Sequence, residues 1–152
     1  MRRAILFAAT FVMMACSKQP VNTTPGRGGA VSNNVGAGSS RAAVDGFMTA
    51  VKAADLQAMS TIWGNEKGPG RDQFKRDELE KRLVIMQCLL QHDRYTFLDD
   101  TPQLQTGGRQ GWPLQLTRKR VTAKTKLTTV RGPNGRWFLA DADLAPLRDF
   151  CQ

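Results

Sequence analysis

The apolar residues of the segment 41–152 change period part-way along, and no other feature limits the fold so tightly. Val44, Phe47, Met48 and Val51 fall at i, i+3, i+4 and i+7, which is one face of a helix. Asp55 has the character of an N-cap for a short second helix bearing Leu56, Met59, Ile62 and Trp63, with Gly64 ending it. After the turn-rich stretch GNEKGPGR, a third helix begins near Asp72 to Asp77 and runs to about Gln91. Its stripe is Leu79, Leu83, Met86 and Leu90, with Asp77, Glu78 and Glu80 in the first turn. Beyond residue 94 the spacing becomes two: Tyr95 and Phe97, then Trp112, Leu114 and Leu116, then Val121, Ala123, Thr125 and Leu127. Arg118-Lys119-Arg120 marks one hairpin turn and Gly132-Pro133-Asn134-Gly135 another, while Pro113 suits an edge strand or a strand start. Helices followed by a meandering antiparallel sheet predict an α+β domain.

The N-terminal forty residues do not belong to that pattern. Arg2 and Arg3 precede the uncharged stretch 4–15, AILFAATFVMMA, which is the layout of a secretory signal. The run is too short to span a bilayer, which takes roughly 20 residues. The stretch Met13 to Cys16 resembles the bacterial lipobox, with Met13 in place of the usual Leu and Ala15 as the small residue before the cut. That resemblance implies removal of 1–15 and a diacylglyceryl group on Cys16; the alternative is an ordinary cleavage site with a coincidental cysteine. Loss of Arg2 and Arg3 lowers the net charge from +9 to +7. Ser17 after the cysteine, by resemblance to enterobacterial sorting, favours the outer over the inner membrane. Residues 17–40 are rich in Gly, Ser, Asn, Thr and Pro without apolar periodicity, so a flexible tether is expected. The glycine clusters in it lack the preceding strand and following Lys-Ser/Thr of a phosphate loop. The expected organisation is signal 1–15, lipid-anchored tether 16–40, and one domain 41–152.

Helix, short helix ending in Trp-Gly, loop, helix, long strands, a Gly-x-Trp stretch and a final Asp make an order with a precedent. AVDGFMTAVKAADLQAMSTIWG (Ala43 to Gly64) and VRGPNGRWFLADADL (Val130 to Leu144) resemble the nuclear-transport-factor-two-like (SnoaL-like, cystatin-like) superfamily. The resemblance implies two to three helices packed on a curved antiparallel sheet, a cone around a pocket. It also implies a possible homodimer through the sheet. That fold carries isomerases, dehydratases and non-catalytic binding domains, so it does not select an activity.

Candidate chemistry is sparse. His92, the one histidine, is a candidate general base if a carboxylate orients it; its neighbours Asp93 and Arg94 equally suit a solvated helix end. Asp141 and Asp143 alternate about Ala142, so both are expected on one face. There they form an acid–base pair within the cone, or simply terminate the strand. Trp63, Phe74, Trp112, Trp137 and Phe138 are candidates for lining an apolar cavity, or are plain core. No metal site is expected from a single histidine, and no cofactor motif stands out.

Charge and cysteines complete the reading. From Thr101 to Ala140 there are eight basic residues and no acidic one, including Arg118, Lys119, Arg120, Lys124 and Lys126 as candidate anion-binding groups. On an exported protein, nucleic acid is not the expected partner. Anionic lipid, a cell-wall polymer or an acidic protein is, and a solvated basic face is the bland alternative. With Cys16 lipidated, Cys88 and Cys151 are expected to pair. The sequence thus points to a membrane-anchored envelope lipoprotein with a non-catalytic domain binding a lipidic ligand, anionic component or protein. Its rivals are a small cone-pocket enzyme (isomerase, dehydratase or hydrolase) and an accessory subunit packing through its sheet.

Overall fold

The structure, a computed structural model, describes residues 35–152. The expectations for the signal 1–15, Cys16 and most of the tether lie outside those residues. Three helices, α1 (Ser40–Lys52), α2 (Leu56–Ile62) and α3 (Arg76–Leu90), precede and pack against an antiparallel sheet, so the α+β class holds. Between α2 and α3, β1 (Gly64–Asn65) and β2 (Gly68–Pro69) form a small hairpin. The main sheet has the order β3-β5-β6-β7, from β3 (Arg94–Phe97), β5 (Gln110–Arg118), β6 (Val121–Arg131) and β7 (Trp137–Ala142). Short β4 (Gln103–Leu104) continues the β3 edge of β5.

The helical stripes read from the sequence are the buried faces. Val44, Phe47, Met48 and Val51 of α1 meet Trp112, Leu114, Leu116, Leu127 and Leu139 of the sheet, and Leu79, Leu83, Met86 and Leu90 of α3 join the same core. Ser39 caps α1 through Ala42 N–H, and Asp55 caps α2 through Ala58 N–H at 2.9 Å. The polar groups buried under α1 are satisfied as a chain. Trp112 Nε1 donates to Ser40 Oγ (2.7 Å), Ser40 Oγ meets Thr129 Oγ1 (2.6 Å), and Thr129 Oγ1 donates to the Gln110 carbonyl (3.2 Å). Such a connected chain avoids the cost of an orphaned buried donor.

The folded unit reaches back beyond the expected start at residue 41. Ala37 exchanges two backbone hydrogen bonds with Trp137, and Arg136 donates to the carbonyls of Val35 (3.0 Å) and Gly36 (2.6 Å). The β7 edge needs a partner for its backbone groups, which Ala37 supplies, while Gly36, at φ +67, passes so close to the Phe138 ring that an added Cβ would meet it at 2.9 Å.

Pro113 also departs from expectation, since it sits within β5, a strand paired on both sides. Its carbonyl accepts from Leu98 N–H just where β3 has ended and β4 has not begun. In an antiparallel ladder a residue's N–H and C=O point the same way, so the proline's missing donor faces that gap.

At the other end, the C-terminal 3₁₀ helix (Ala145–Cys151) buries Leu147 and Phe150 in the core. The Cys88–Cys151 disulfide, with Cα atoms 5.2 Å apart, ties it to α3.

Candidate functional site

His92 lies where the chain leaves α3 and turns at once into β3. It is not the solvated helix end that its charged neighbours suggested, since it is only 3% exposed. Nδ1 lies 2.9 Å from the Leu90 carbonyl, so that nitrogen carries the proton, and the ring stands edge-on to Tyr95. Burial holds its pKa below the ordinary 6.5, and the nearby Lys52 charge pushes the same way against the opposing Leu90 carbonyl and Asp93. The imidazole is therefore neutral at pH 7. A second carboxylate is one step removed: Tyr95 donates to Asp45 Oδ1 at 2.6 Å. Burial, that hydrogen bond and the Asp45 charge raise the Tyr95 pKa well above its usual value.

Asp141 and Asp143 are both solvent-exposed and do not point into the concave side. An extra residue in β7, Ala140, opposite the Thr128–Thr129 step of β6 shifts the register, placing Asp141 opposite Thr128 on the face away from the helices. Each carboxylate accepts a backbone N–H instead, Ala142 for Asp141 (2.8 Å) and Ala145 for Asp143 (3.3 Å). They terminate the strand and shape the turn that follows.

The aromatic candidates fall in separate places. Trp63 stacks on Phe74 at 5.4 Å in the helical layer, and Trp112 lies under α1 against Phe97. Trp137 pairs with Ala37 at the opposite sheet edge, with Phe138 beneath Gly36. Three open grooves mark the surface of the described residues, each away from the contact of α1 with the sheet. One of about 300 Å³ separates α2 from α3, one of about 430 Å³ adjoins Val35 and Arg136, and one of about 310 Å³ lies between Leu98, Lys124 and Lys126. Among the described residues no three His, Cys, Asp or Glu side chains converge as metal ligands, and no helix is long and apolar enough to cross a membrane.

The basic candidates do gather, with additions the sequence concealed. Lys119 and Arg120 are the exposed tip of the β5–β6 hairpin, where Lys119 adopts φ +53. Arg118 turns to the helix side and donates to the Cys88 carbonyl at 3.4 Å. Lys124 and Lys126 project from the outer face, Lys126 at the level of Asp143, whose N–H bonds its carbonyl. Register then brings Arg94 opposite Thr117, two strands from Thr122, and Lys52 reaches the same end of the sheet to donate to the Asp93 carbonyl (2.8 Å). Asp93 holds the tip in place, its carboxylate accepting Lys119 N–H at 2.6 Å. Neither Lys52 nor Arg94 carries a sequence signal for this, since both arrive by tertiary pairing.

No protein-family model, curated protein or solved structure matches the chain.

Proposed function

We propose that this chain is an exported envelope lipoprotein, anchored through Cys16, whose domain is a non-catalytic member of the cone-shaped superfamily it resembles and binds a partner at its surface. The observation that carries this reading is the filled concave side of the sheet. Val44, Phe47, Met48 and Val51 of α1 pack directly against Trp112, Leu114, Leu116, Leu127 and Leu139 of the sheet, and all four are fully buried. The polar groups beneath α1 bond to one another, and His92 sits against Leu90 and Tyr95, away from the three grooves. What the domain offers to a partner is therefore outside: exposed cations, the grooves and the uncovered face of the sheet.

The anchor follows from the basic pair, the apolar run and the cysteine of the first sixteen residues. Two or more acyl chains hold a protein stably at a bilayer. Metabolic labelling with an alkyne-tagged palmitate in a bacterial host tests it. Label should appear in the wild-type chain and in the membrane fraction, and vanish with Cys16→Ala; label retained in that variant rules the anchor out.

A second reading, an accessory subunit packing through its sheet, draws on the outer face, which carries both Lys124 and Lys126 and the acids Asp141 and Asp143. Light scattering of residues 17–152 distinguishes it, because self-association through that face would double the mass and be lost with Lys124→Glu.

A further inference from the structure

The groove of about 300 Å³ between α2 and α3 has an apolar floor and a charged rim. On α3, Leu79 and Leu83 stand one turn apart and form its buried base, joined from α2 by the half-buried Leu56. Ser60, one turn on from Leu56, has a side chain too small to fill the space. Its Oγ is turned aside, donating to the Gln57 carbonyl at 2.7 Å. One end of the groove is bounded by the short 3₁₀ turn Gly70–Asp72. There Gly70 N–H bonds the Trp63 carbonyl at 2.7 Å, and a Cβ at Gly70 would lie 3.3 Å from Leu79 Cδ1. That contact brings Arg71 to the same end as Arg76, the first residue of α3.

Charge and shape together select the occupant. Arg71 and Arg76 line the groove against one acid, Glu80, so the lining carries two cations less one anion, or one net positive charge. Arg71 meets Asp72 only through Nε at 3.7 Å, which leaves its two terminal nitrogens for another acceptor. Arg76 forms no ion pair among the described residues, and residues 1–34 contain no Asp or Glu. A single carboxylate balances that charge, and the leucine floor favours an apolar chain behind it. Along Leu79 to Leu83 the α3 backbone is bonded within the helix, so this wall gives a peptide main chain nothing to pair with. At about 30 Å³ per non-hydrogen atom, the share of a water molecule in the liquid, the groove holds roughly ten such atoms.

We propose that the α2–α3 groove binds a single-chain amphiphile with one carboxylate. Its apolar tail of about eight carbons lies on Leu56, Leu79 and Leu83, and Arg71 and Arg76 hold the carboxylate. The proposal rests on the reading of this domain as a surface binder and deepens it by naming the site and the ligand. It draws nothing from the anchor at Cys16.

Residues 17–152 hold every core residue and are the protein to use. Backbone amide shifts in the NMR spectrum are followed as sodium octanoate, octanol or octylammonium chloride is added. Octanoate should shift the amides of residues 56–60 and 76–83 saturably, with a dissociation constant of about 1 mM or lower. Octanol and octylammonium should bind at least about ten-fold more weakly. Arg71→Gln with Arg76→Gln should weaken octanoate about ten-fold or more and leave octanol within about two-fold. Glu80→Gln should tighten octanoate by up to about five-fold. Arg120→Gln with Lys124→Gln removes the same charge from the β5–β6 hairpin and should change octanoate binding less than about two-fold. All three variants should melt within a few degrees of wild type. Absence of saturable shifts up to about 20 mM octanoate, or shifts confined to other residues, overturns the site. Equal loss in the hairpin variant overturns the two groove arginines as the carboxylate's partners. Octanol or octylammonium binding as well as octanoate overturns the carboxylate, and tighter binding of acetyl-Ala-Leu-Leu with a free carboxylate overturns the alkyl chain and assigns a peptide C-terminus. Palmitate labelling is unaffected by any of these outcomes, so the groove and the anchor fail separately.

Discussion

Reduction of the Cys88–Cys151 disulfide should cost this domain a large part of its stability. The bridge spans 63 residues, taking in β3 to β7 and the C-terminal 3₁₀ helix. In the chain-entropy model a loop of that length removes about 14 cal/mol/K from the unfolded ensemble, or about 4 kcal/mol at 25 °C. Typical domains are stable by only about 5–15 kcal/mol. With a urea slope of about 2 kcal/mol/M, the midpoint of unfolding should fall by about 2 M on reduction. The native contacts need not change on reduction if the burial of Leu147 and Phe150 by itself holds the terminal helix to α3. Leu147→Ala should therefore cost a separate ~2–5 kcal/mol in both redox states, from the lost methylenes and the cavity left behind. The assay is urea unfolding of residues 17–152 followed by tryptophan fluorescence, with and without dithiothreitol, for wild type and Leu147→Ala. A reduced midpoint within about 0.5 M of the oxidised one would refute the loop-closure reasoning. A Leu147→Ala penalty that vanishes on reduction would show that the terminal helix is held by the bridge and not by its own burial.

Further expectations concern single groups that can be watched without ambiguity. Tyr95 is the one tyrosine, and its pKa is raised above the ordinary 10.0 by burial and by Asp45. Stability from it is fully present below pH 10 and lost as pH rises further, because the unfolded chain releases the proton first. Absorbance near 295 nm should accordingly change only together with unfolding. Tyr95→Phe, which removes the bond to Asp45, should cost about 1–2 kcal/mol in urea unfolding. His92, the one histidine, is depressed below 6.5, so its contribution is present above pH 6.5 and declines as pH falls through that range. Its ring-proton resonance in NMR should titrate below the free-histidine midpoint; a midpoint at or above it would contradict the burial. At Gly36 an added Cβ would meet Phe138 at 2.9 Å with φ +67, whereas at Gly38 nothing lies within 4 Å. Thermal melts should show Gly36→Ala destabilised by roughly 1 kcal/mol or more and Gly38→Ala near neutral.

Much of the framework was written locally and could be read there. The stripes of α1 and α3 are the faces that meet the sheet, Asp55 caps α2, and both predicted turns join strands. The Cys88–Cys151 pairing came from counting, not from geometry. Spacing along one segment determines which of its side chains share a face, and capping and turn chemistry act over three or four residues. These features survive whatever the rest of the chain does.

What escaped depends on two distant segments at once. The extra residue of β7, Ala140, at the Thr128/Thr129 step decides that Asp141 faces outward, and the spacing of β7 alone does not show that its pairing with β6 skips a residue. His92 is flanked by charges in sequence, yet it is buried because Tyr95 folds against it and β3 pairs with β5. Pro113 is tolerated in an inner strand only because β3 stops one residue short of it. Arg94 and Lys52 join Lys119 and Arg120 through strand register and the docking of α1, across sequence separations that periodicity cannot span. The class of fold and the faces of its elements were therefore legible in the residue order, since these follow from local spacing. Register, burial and the gathering of charge were decided by the tertiary structure, because each depends on which of several sterically acceptable pairings buries the most apolar surface.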